Sequence, residues 1–418
     1  MNELLITILE EFYDKLAKTT HSIHRDYSFA AIKDKIRVAI GMRRCGKTYF
    51  LFQTIKKLLN NGIDRDQILY INFEDDRLLP CDQAKLASLL EAFYTLYPIN
   101  HDRKCYMFLD EIQNVADWAL VVRRFQDSKD LEIYLSGASS KLLSKDLHTA
   151  LRGRSISLEI WPLSFPEYLS AVSYDLPKTP FTKRTLDQLL EHFAKYLAQG
   201  GFPGTTNIDS IDRTQILQEY VELVIIKDIV ERYNVENIIL LKYLLQTILK
   251  NVASHFSASK FTKDIKSQGI RGAKNSILEY LEYLEDAYLI FPVKLYSESV
   301  RQVQTNTRKM YAVDPGLVNA YTFSKHASYG HLFENVFYLW LRRSRHKIFY
   351  YLTLQDRYEV DFLTQSPDGE LHLYQVCWDI SETQTLEREL RALEIAKKEL
   401  NIEGTLITPD VFFRHCLS

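Results

Sequence analysis

The sequence predicts an α/β protein whose first half is built on a parallel sheet, and three observations carry that expectation. Ile36 to Ile40, Ile68 to Phe73, Tyr106 to Leu109 and Glu132 to Leu135 are short β-rich runs separated by stretches of helical periodicity. That texture belongs to strands covered on both faces. Gly41-Met42-Arg43-Arg44-Cys45-Gly46-Lys47-Thr48 is a glycine loop set between the first run and a helix opening at Tyr49. The third run ends on two adjacent acids, Asp110 and Glu111.

At 418 residues the chain is too long for one ordinary hydrophobic core, so several domains are expected. Residues 1–30 read as a helix, with Leu4, Leu5, Ile8, Leu9, Phe12 and Leu16 at three- and four-residue spacing, and then a loop. Residues 31–164 hold the strands named above. Residues 165–236 read as helical, interrupted by Pro177-Lys178-Thr179-Pro180 and by Gly200-Gly201-Phe202-Pro203-Gly204. Residues 237–325 read as three helices and a strand pair, and residues 326–418 as helix, three strands, helix and strand.

Hydrophobic content of 46% and charged content of 25% are those of a globular chain, and the net charge of −2 excludes a globally basic nucleic-acid binder. No apolar run approaches the roughly 20 residues that cross a bilayer. Met1-Asn2-Glu3-Leu4-Leu5 lacks the basic start of a secretory signal, and Cys45, Cys81, Cys105, Cys377 and Cys416 have no metal-ligand spacing. Reduced thiols, a cytoplasmic location and no membrane partner are the expectation.

The loop fits GxxxxGK[ST] in the context that motif requires, with a strand before it and a helix after it. Backbone amides from Gly41, Arg43, Arg44, Cys45, Gly46, Lys47, Thr48 and Tyr49 are expected around the phosphates of ATP, with Lys47 on the β- and γ-phosphates and Thr48 on Mg²⁺. Asp110 is expected to hold the same ion, and Glu111 to polarise the attacking water. Ser136 and Ser139, after the fourth run, are alternatives for a polar side chain between the γ-phosphate and that water. Arg152 and Arg154 are alternatives for an arginine that reaches a neighbouring subunit's nucleotide, the competing reading being a solvated basic loop.

The segment 241–325 holds 12 Lys and Arg against 7 Asp and Glu, an excess of five. Its helices, the turn Gly269-Ile270-Arg271-Gly272 and the paired runs Leu289 to Val293 and Met310 to Val313 read as a helix-turn-helix with a wing. Lys260, Lys263, Lys266, Arg271 and Lys274 cluster at the second helix and turn. Arg301, Arg308 and Lys309 are expected in the wing loop. DNA contact through phosphates is one reading of this face. Glu279, Glu282, Glu285 and Asp286 make the third helix acidic, so protein contact is the other.

In the last block Glu334 on a helix and Asp361 on a strand stand where a Mg²⁺-dependent nuclease keeps carboxylates. The third element, normally Glu-x-Lys, reads Gln375-Val376-Cys377. Gln is a weaker ligand for a hard cation and Cys does not replace an ammonium, so a site without nuclease activity is expected.

The ordered set Arg43 to Thr48, Leu109-Asp110-Glu111-Ile112-Gln113, Ser136 to Leu143, Gly153-Arg154, Pro162-Leu163-Ser164-Phe165 and Gly200-Gly201-Phe202-Pro203 resembles the prokaryotic AAA+ ATPases of the AAA_14/DUF4143 architecture. The resemblance covers nearly the whole chain. It implies an AAA+ core over 31–164, a helical lid over 165–236, a winged helix over 237–325 and a restriction-endonuclease-like domain over 326–418. The function expected is ATP hydrolysis in a homo-oligomer, with a hexamer-like ring as one form, coupled to DNA. The alternative is a regulatory switch that binds a protein.

Overall fold

The computed structural model describes residues 2–19, 23–138, 151–297, 299, 302, 306–322, 328–380 and 383–417. Ser139 and Arg301 lie outside the described residues. The chain divides into two compact units, Met1–Trp161 and Pro162–Ser418. The helical segment expected over 1–30 belongs to the first unit, and the blocks expected over 165–236, 237–325 and 326–418 all belong to the second.

In the first unit, β1 (Ile36–Gly41), β2 (Ile68–Asn72), β3 (Cys105–Asp110), β4 (Leu131–Ala138) and β5 (Ser155–Glu159) form one sheet in the order β2-β3-β4-β1-β5. Every pairing is parallel. Alternation along the strands sends side chains to two separate cores. Val38, Ile40, Leu69, Ile71, Met107, Leu109, Ile133 and Leu135 enter one. Ile68, Tyr70, Tyr106, Phe108 and Tyr134 enter the other. Both faces being buried explains why these strands read as continuous apolar runs. The helix Asn2–Lys18 buries Leu5, Ile8, Leu9, Phe12 and Leu16 against this unit, one stripe of a 3.6-residue period. Each such side chain contributes roughly 1.5–3 kcal/mol of burial.

The second unit holds a seven-stranded sheet of β6 (Ser254–Phe256), β7 (Ile290–Leu295), β8 (Arg308–Ala312), β9 (Lys347–Leu352), β10 (Glu359–Gln365), β11 (Leu371–Val376) and β12 (Gly404–Ile407). Its order is β12-β11-β10-β9-β7-β8-β6. The expected strand pair is present as β7 and β8, antiparallel, with Ile290 opposite Ala312. Two features were not legible. β6 is only three residues long and joins the free side of β8, with His255 opposite Lys309. β7 also pairs in parallel with β9, through Lys294 and Leu295, so the strand pair continues into the sheet of the last block.

That continuity corrects one expectation directly. Lys309 is not a wing cation facing solvent; it is 3% exposed and ion-paired to Glu334, Glu359 and Asp361. The physical reason is alternation: Lys309 and Tyr311 share one face of β8, and both reach Glu334 on the helix Tyr329–Arg343.

Candidate nucleotide site

β1 ends at Gly41, whose φ of +148° and lack of a side chain are both needed, since a Cβ there would meet the Ile160 carbonyl oxygen at 2.1 Å. The loop then turns through left-handed conformations at Arg44 (φ 67°) and Gly46 (φ 102°). Such alternation points successive amides inward, the geometry of an anion nest. The helix Lys47–Asn60 begins directly after Gly46, and no side chain caps its N-terminus. Its first amides and its positive dipole end therefore face the loop. Lys47 is 4% exposed, with Nζ donating to the carbonyls of Gly41 at 3.2 Å and Met42 at 3.1 Å.

The carboxylates arrive from β3. Asp110 is fully buried, and its described hydrogen bonds come from neutral hydroxyls: Thr48 Oγ1 at 2.8 Å, Tyr70 OH at 2.8 Å, and Ser136. Burial, and then the charge of Glu111, push its carboxyl above the usual range, with the three hydroxyls acting against them. A buried carboxylate held by neutral donors beside a threonine hydroxyl fits a divalent cation, which would supply the missing positive charge. Glu111 follows in a left-handed conformation at φ 53° and accepts from the Gln113 amide. The other amide atom of Gln113, Oε1, is buried without a partner.

Among the other expected residues, Arg43 pairs with Glu74 at 3.2 Å, Arg44 is exposed, and Cys45 is fully buried. Burial raises the Cys45 thiol. Tyr49 is exposed, its ring tilted at 5.7 Å from Phe52. Ser136 is fully buried and spends its hydroxyl on Asp110, while also accepting from the Glu111 amide at 3.4 Å. It holds the acid pair in place. Arg152 is exposed in a left-handed turn, whereas Arg154 pairs with Asp127 of its own chain.

Two residues were missed by sequence reasoning. Tyr70 had no signal, because its approach to Asp110 follows from β2–β3 register alone. Arg25 lies in the irregular stretch before β1. Its guanidinium donates to the carbonyls of Cys45 at 2.8 Å and Trp161 at 2.6 Å, and its backbone exchanges hydrogen bonds with the Gln53 amide. It braces the loop from behind, and an arginine in an aperiodic segment announces nothing of the kind.

In the second unit Lys260, Lys263, Lys266, Arg271 and Lys274 are all exposed, on and just after the helix Ala258–Ser267. Arg308 is half-buried. Glu334, Asp361 and Gln375 do come together, around Lys309, beside a cavity of about 710 Å³.

Comparison with known proteins finds the AAA domain expected of the first unit and a second domain family after it. Residues 33–169 match an AAA domain family, AAA_14. Residues 190–327 match a domain of unknown function, DUF8612, where the resemblance implied DUF4143. A Methanocaldococcus jannaschii protein, MJ1544, is 36% identical over 396 residues, covering 93% of this chain and 85% of that one. A Haemophilus influenzae protein is 29% identical and covers 89% of each chain. Among solved structures, the Walker-type ATPase PABY2304 of Pyrococcus abyssi is 14% identical with a TM-score of 0.44, covering 73% of this chain and 99% of that one.

Proposed function

The chain belongs to the protein family that includes MJ1544 of Methanocaldococcus jannaschii, and from that premise we propose that it hydrolyses ATP·Mg²⁺ in a homo-oligomer and couples the cycle to DNA binding. The observation that carries the nucleotide part is the meeting of Thr48 Oγ1 and Asp110 Oδ2 at 2.8 Å, beside a buried Lys47 and an uncapped helix start. Thr48 and Asp110 would hold Mg²⁺, which when bound neutralises charge on the β- and γ-phosphates. Lys47 and the loop amides hold the phosphates, and Glu111, oriented by Gln113, takes the proton of the attacking water. Arg152, exposed and free of the in-chain pairing that Arg154 makes with Asp127, is the better candidate to act on a neighbour's nucleotide.

The DNA part rests on the exposed cations of the helix Ala258–Ser267 and the turn after it. The three helices Ile238–Lys250, Ala258–Ser267 and Lys274–Asp286, with β6 falling between the first two and β7–β8 after the third, have the element order of a winged helix. A row of lysines there favours phosphate contact that is tolerant of sequence and steeply weakened by salt. A second reading, a switch that binds a protein, is favoured by the exposed acids Glu279 and Glu282 on the third helix.

ATP turnover measured with and without duplex, single-stranded and junction DNA separates the two readings. Stimulation that the variant Lys260→Glu/Lys263→Glu/Lys266→Glu loses supports the DNA reading. Turnover indifferent to every DNA, with nucleotide-dependent assembly intact, selects the protein switch. A chain that takes up no nucleotide at millimolar concentration would remove both.

A further inference from the structure

Three carboxylates of the second unit converge on a single point, and a lysine stands there. Lys309 Nζ lies 2.7 Å from Glu334 Oε1, 2.7 Å from Glu359 Oε1 and 2.8 Å from Asp361 Oδ1. An ammonium carries three N–H donors, so each donor has one carboxylate oxygen. The arrangement is assembled from three elements: β8 brings Lys309, the helix Tyr329–Arg343 brings Glu334, and β10 brings Glu359 and Asp361. β10 changes register against β9 between Val360 and Leu363, around Asp361. Irregularities of this kind re-aim side chains.

Several other groups of the cavity wall are engaged with one another. Gln375 Oε1 accepts from the Asp361 backbone amide at 3.1 Å, and its nitrogen donates to Glu389, so its oxygen does not turn to the cluster. Asp361 Oδ2 accepts from the Val376 amide at 3.0 Å, and Tyr311 donates to Glu334 Oε1 at 2.6 Å. His255 meets the second oxygen of Glu359. With their oxygens 2.7–2.8 Å from Nζ, the three carboxylates are spread around an ammonium. Among the described residues, no group of three or more His, Cys, Asp or Glu is arranged to hold a metal ion as it stands. The oxygens must draw in by a few tenths of an ångström to reach the roughly 2.0–2.6 Å of a hard divalent ion. Burial pulls the Lys309 ammonium down, but Asp361 and Glu334 outweigh it and hold it well above the usual lysine value.

We propose that Lys309 is the resident cation of this cavity, filling the place where three converging carboxylates would otherwise hold a divalent metal ion, so that removing its ammonium converts the cavity into a divalent-cation site. Buried carboxylates need a cation, and a hard divalent ion needs oxygens at roughly 2.0–2.6 Å from its centre. Such an ion and Nζ cannot occupy the same point. With the lysine in place no metal-bound hydroxide forms here, and hydrolysis of a phosphodiester by that route is closed. The missing ammonium of Gln375-Val376-Cys377 is thus supplied in space by another strand, but as a plug and not as a partner to a metal. This assignment goes beyond the nucleotide reading and does not rest on it.

The test is a Mn²⁺ titration of the full chain without nucleotide, followed by electron paramagnetic resonance and by thermal unfolding. Wild type is expected to show no binding that Asp361→Asn removes; Mn²⁺ held at Asp110 is insensitive to that change. Lys309→Ala is expected to gain one Mn²⁺ per chain, with a Tm that rises and saturates with the ion, and Lys309→Ala/Asp361→Asn to lose both. Should Lys309→Ala fold only with Mn²⁺ present, that too supports the assignment. Lys309→Met, which keeps the aliphatic stem, repeats the measurement if the alanine variant does not fold. The proposal is overturned by wild-type Mn²⁺ binding that Asp361→Asn abolishes, or by a folded Lys309→Ala or Lys309→Met chain that takes up no ion.

Discussion

Glu111 is held in a left-handed backbone conformation at the end of β3, a position that costs of order 1–3 kcal/mol for a residue with a side chain. The surrounding contacts fix it there: its amide donates to Ser136 at 3.4 Å and its carboxylate accepts from Gln113. An acid so constrained has one orientation to offer, which suits a group that must meet a water and not the nucleotide itself. Glu111→Gln keeps the shape and the Gln113 contact but cannot take a proton. Nucleotide affinity should stay within a few-fold of wild type, while turnover falls by about 10²–10⁴-fold. Equilibrium binding of a fluorescent ATP analogue and a phosphate-release assay read the two separately. Equal losses in both would assign Glu111 to binding instead.

At the scale of elements, the junction of β1 with the helix Lys47–Asn60 concentrates the constraints. β1 is buried along all six residues and pairs on both sides, with β4 and β5, so it has no freedom to shift. The turn must therefore be made within the loop, and Gly41 makes it with the Ile160 carbonyl already against it. Gly41→Ala forces a Cβ into backbone, which no side-chain rotation relieves. Loss of nucleotide binding together with destabilisation of several kcal/mol, of the size of other overpacked or strained sites, is expected in urea unfolding. Unchanged binding would show that the loop has another route past β5.

Across the whole molecule, buried carboxyls shape the pH dependence: Asp110 of the first unit is raised, and so are Asp314 and Glu334 of the unit Pro162–Ser418. Burial pushes the Asp314 carboxyl up to about 6, and burial with the charge of Asp361 pushes Glu334 up to about 8. A carboxyl raised in the folded state stabilises below its ordinary pKa, and that contribution is lost as pH rises through the folded value. Stability should therefore fall between pH 6 and pH 8, where Asp314 has already titrated, and Glu334 carries the part of the fall that its variant loses. Differential scanning calorimetry should show the decline in wild type and a flatter profile in Glu334→Gln. An identical slope in both would assign the decline to other groups. Glu359 moves oppositely: burial raises it, but His255 and Lys309 prevail and bring it to about 2, so its contribution fails only in strong acid.

What the sequence by itself determined is the part governed by local chemistry. The four apolar runs, the glycine loop before Lys47 and Thr48, and the acids closing β3 were legible because each is a contiguous pattern with one physical meaning: a two-sided strand, an anion nest or a strand end. The helices Ile238–Lys250, Ala258–Ser267 and Lys274–Asp286 were legible by periodicity for the same reason. Only the tertiary structure decided which distant residues meet. Tyr70 reaches Asp110 through strand register, Arg25 reaches the loop through an aperiodic segment, and Ser136 is committed to the acid pair. Lys309 shows the limit most plainly. Alone in sequence it is one more cation near an exposed basic helix. β8 lies between β7 and the short edge strand β6 of a seven-stranded sheet, and that position turns the same lysine inward onto three carboxylates brought by other elements.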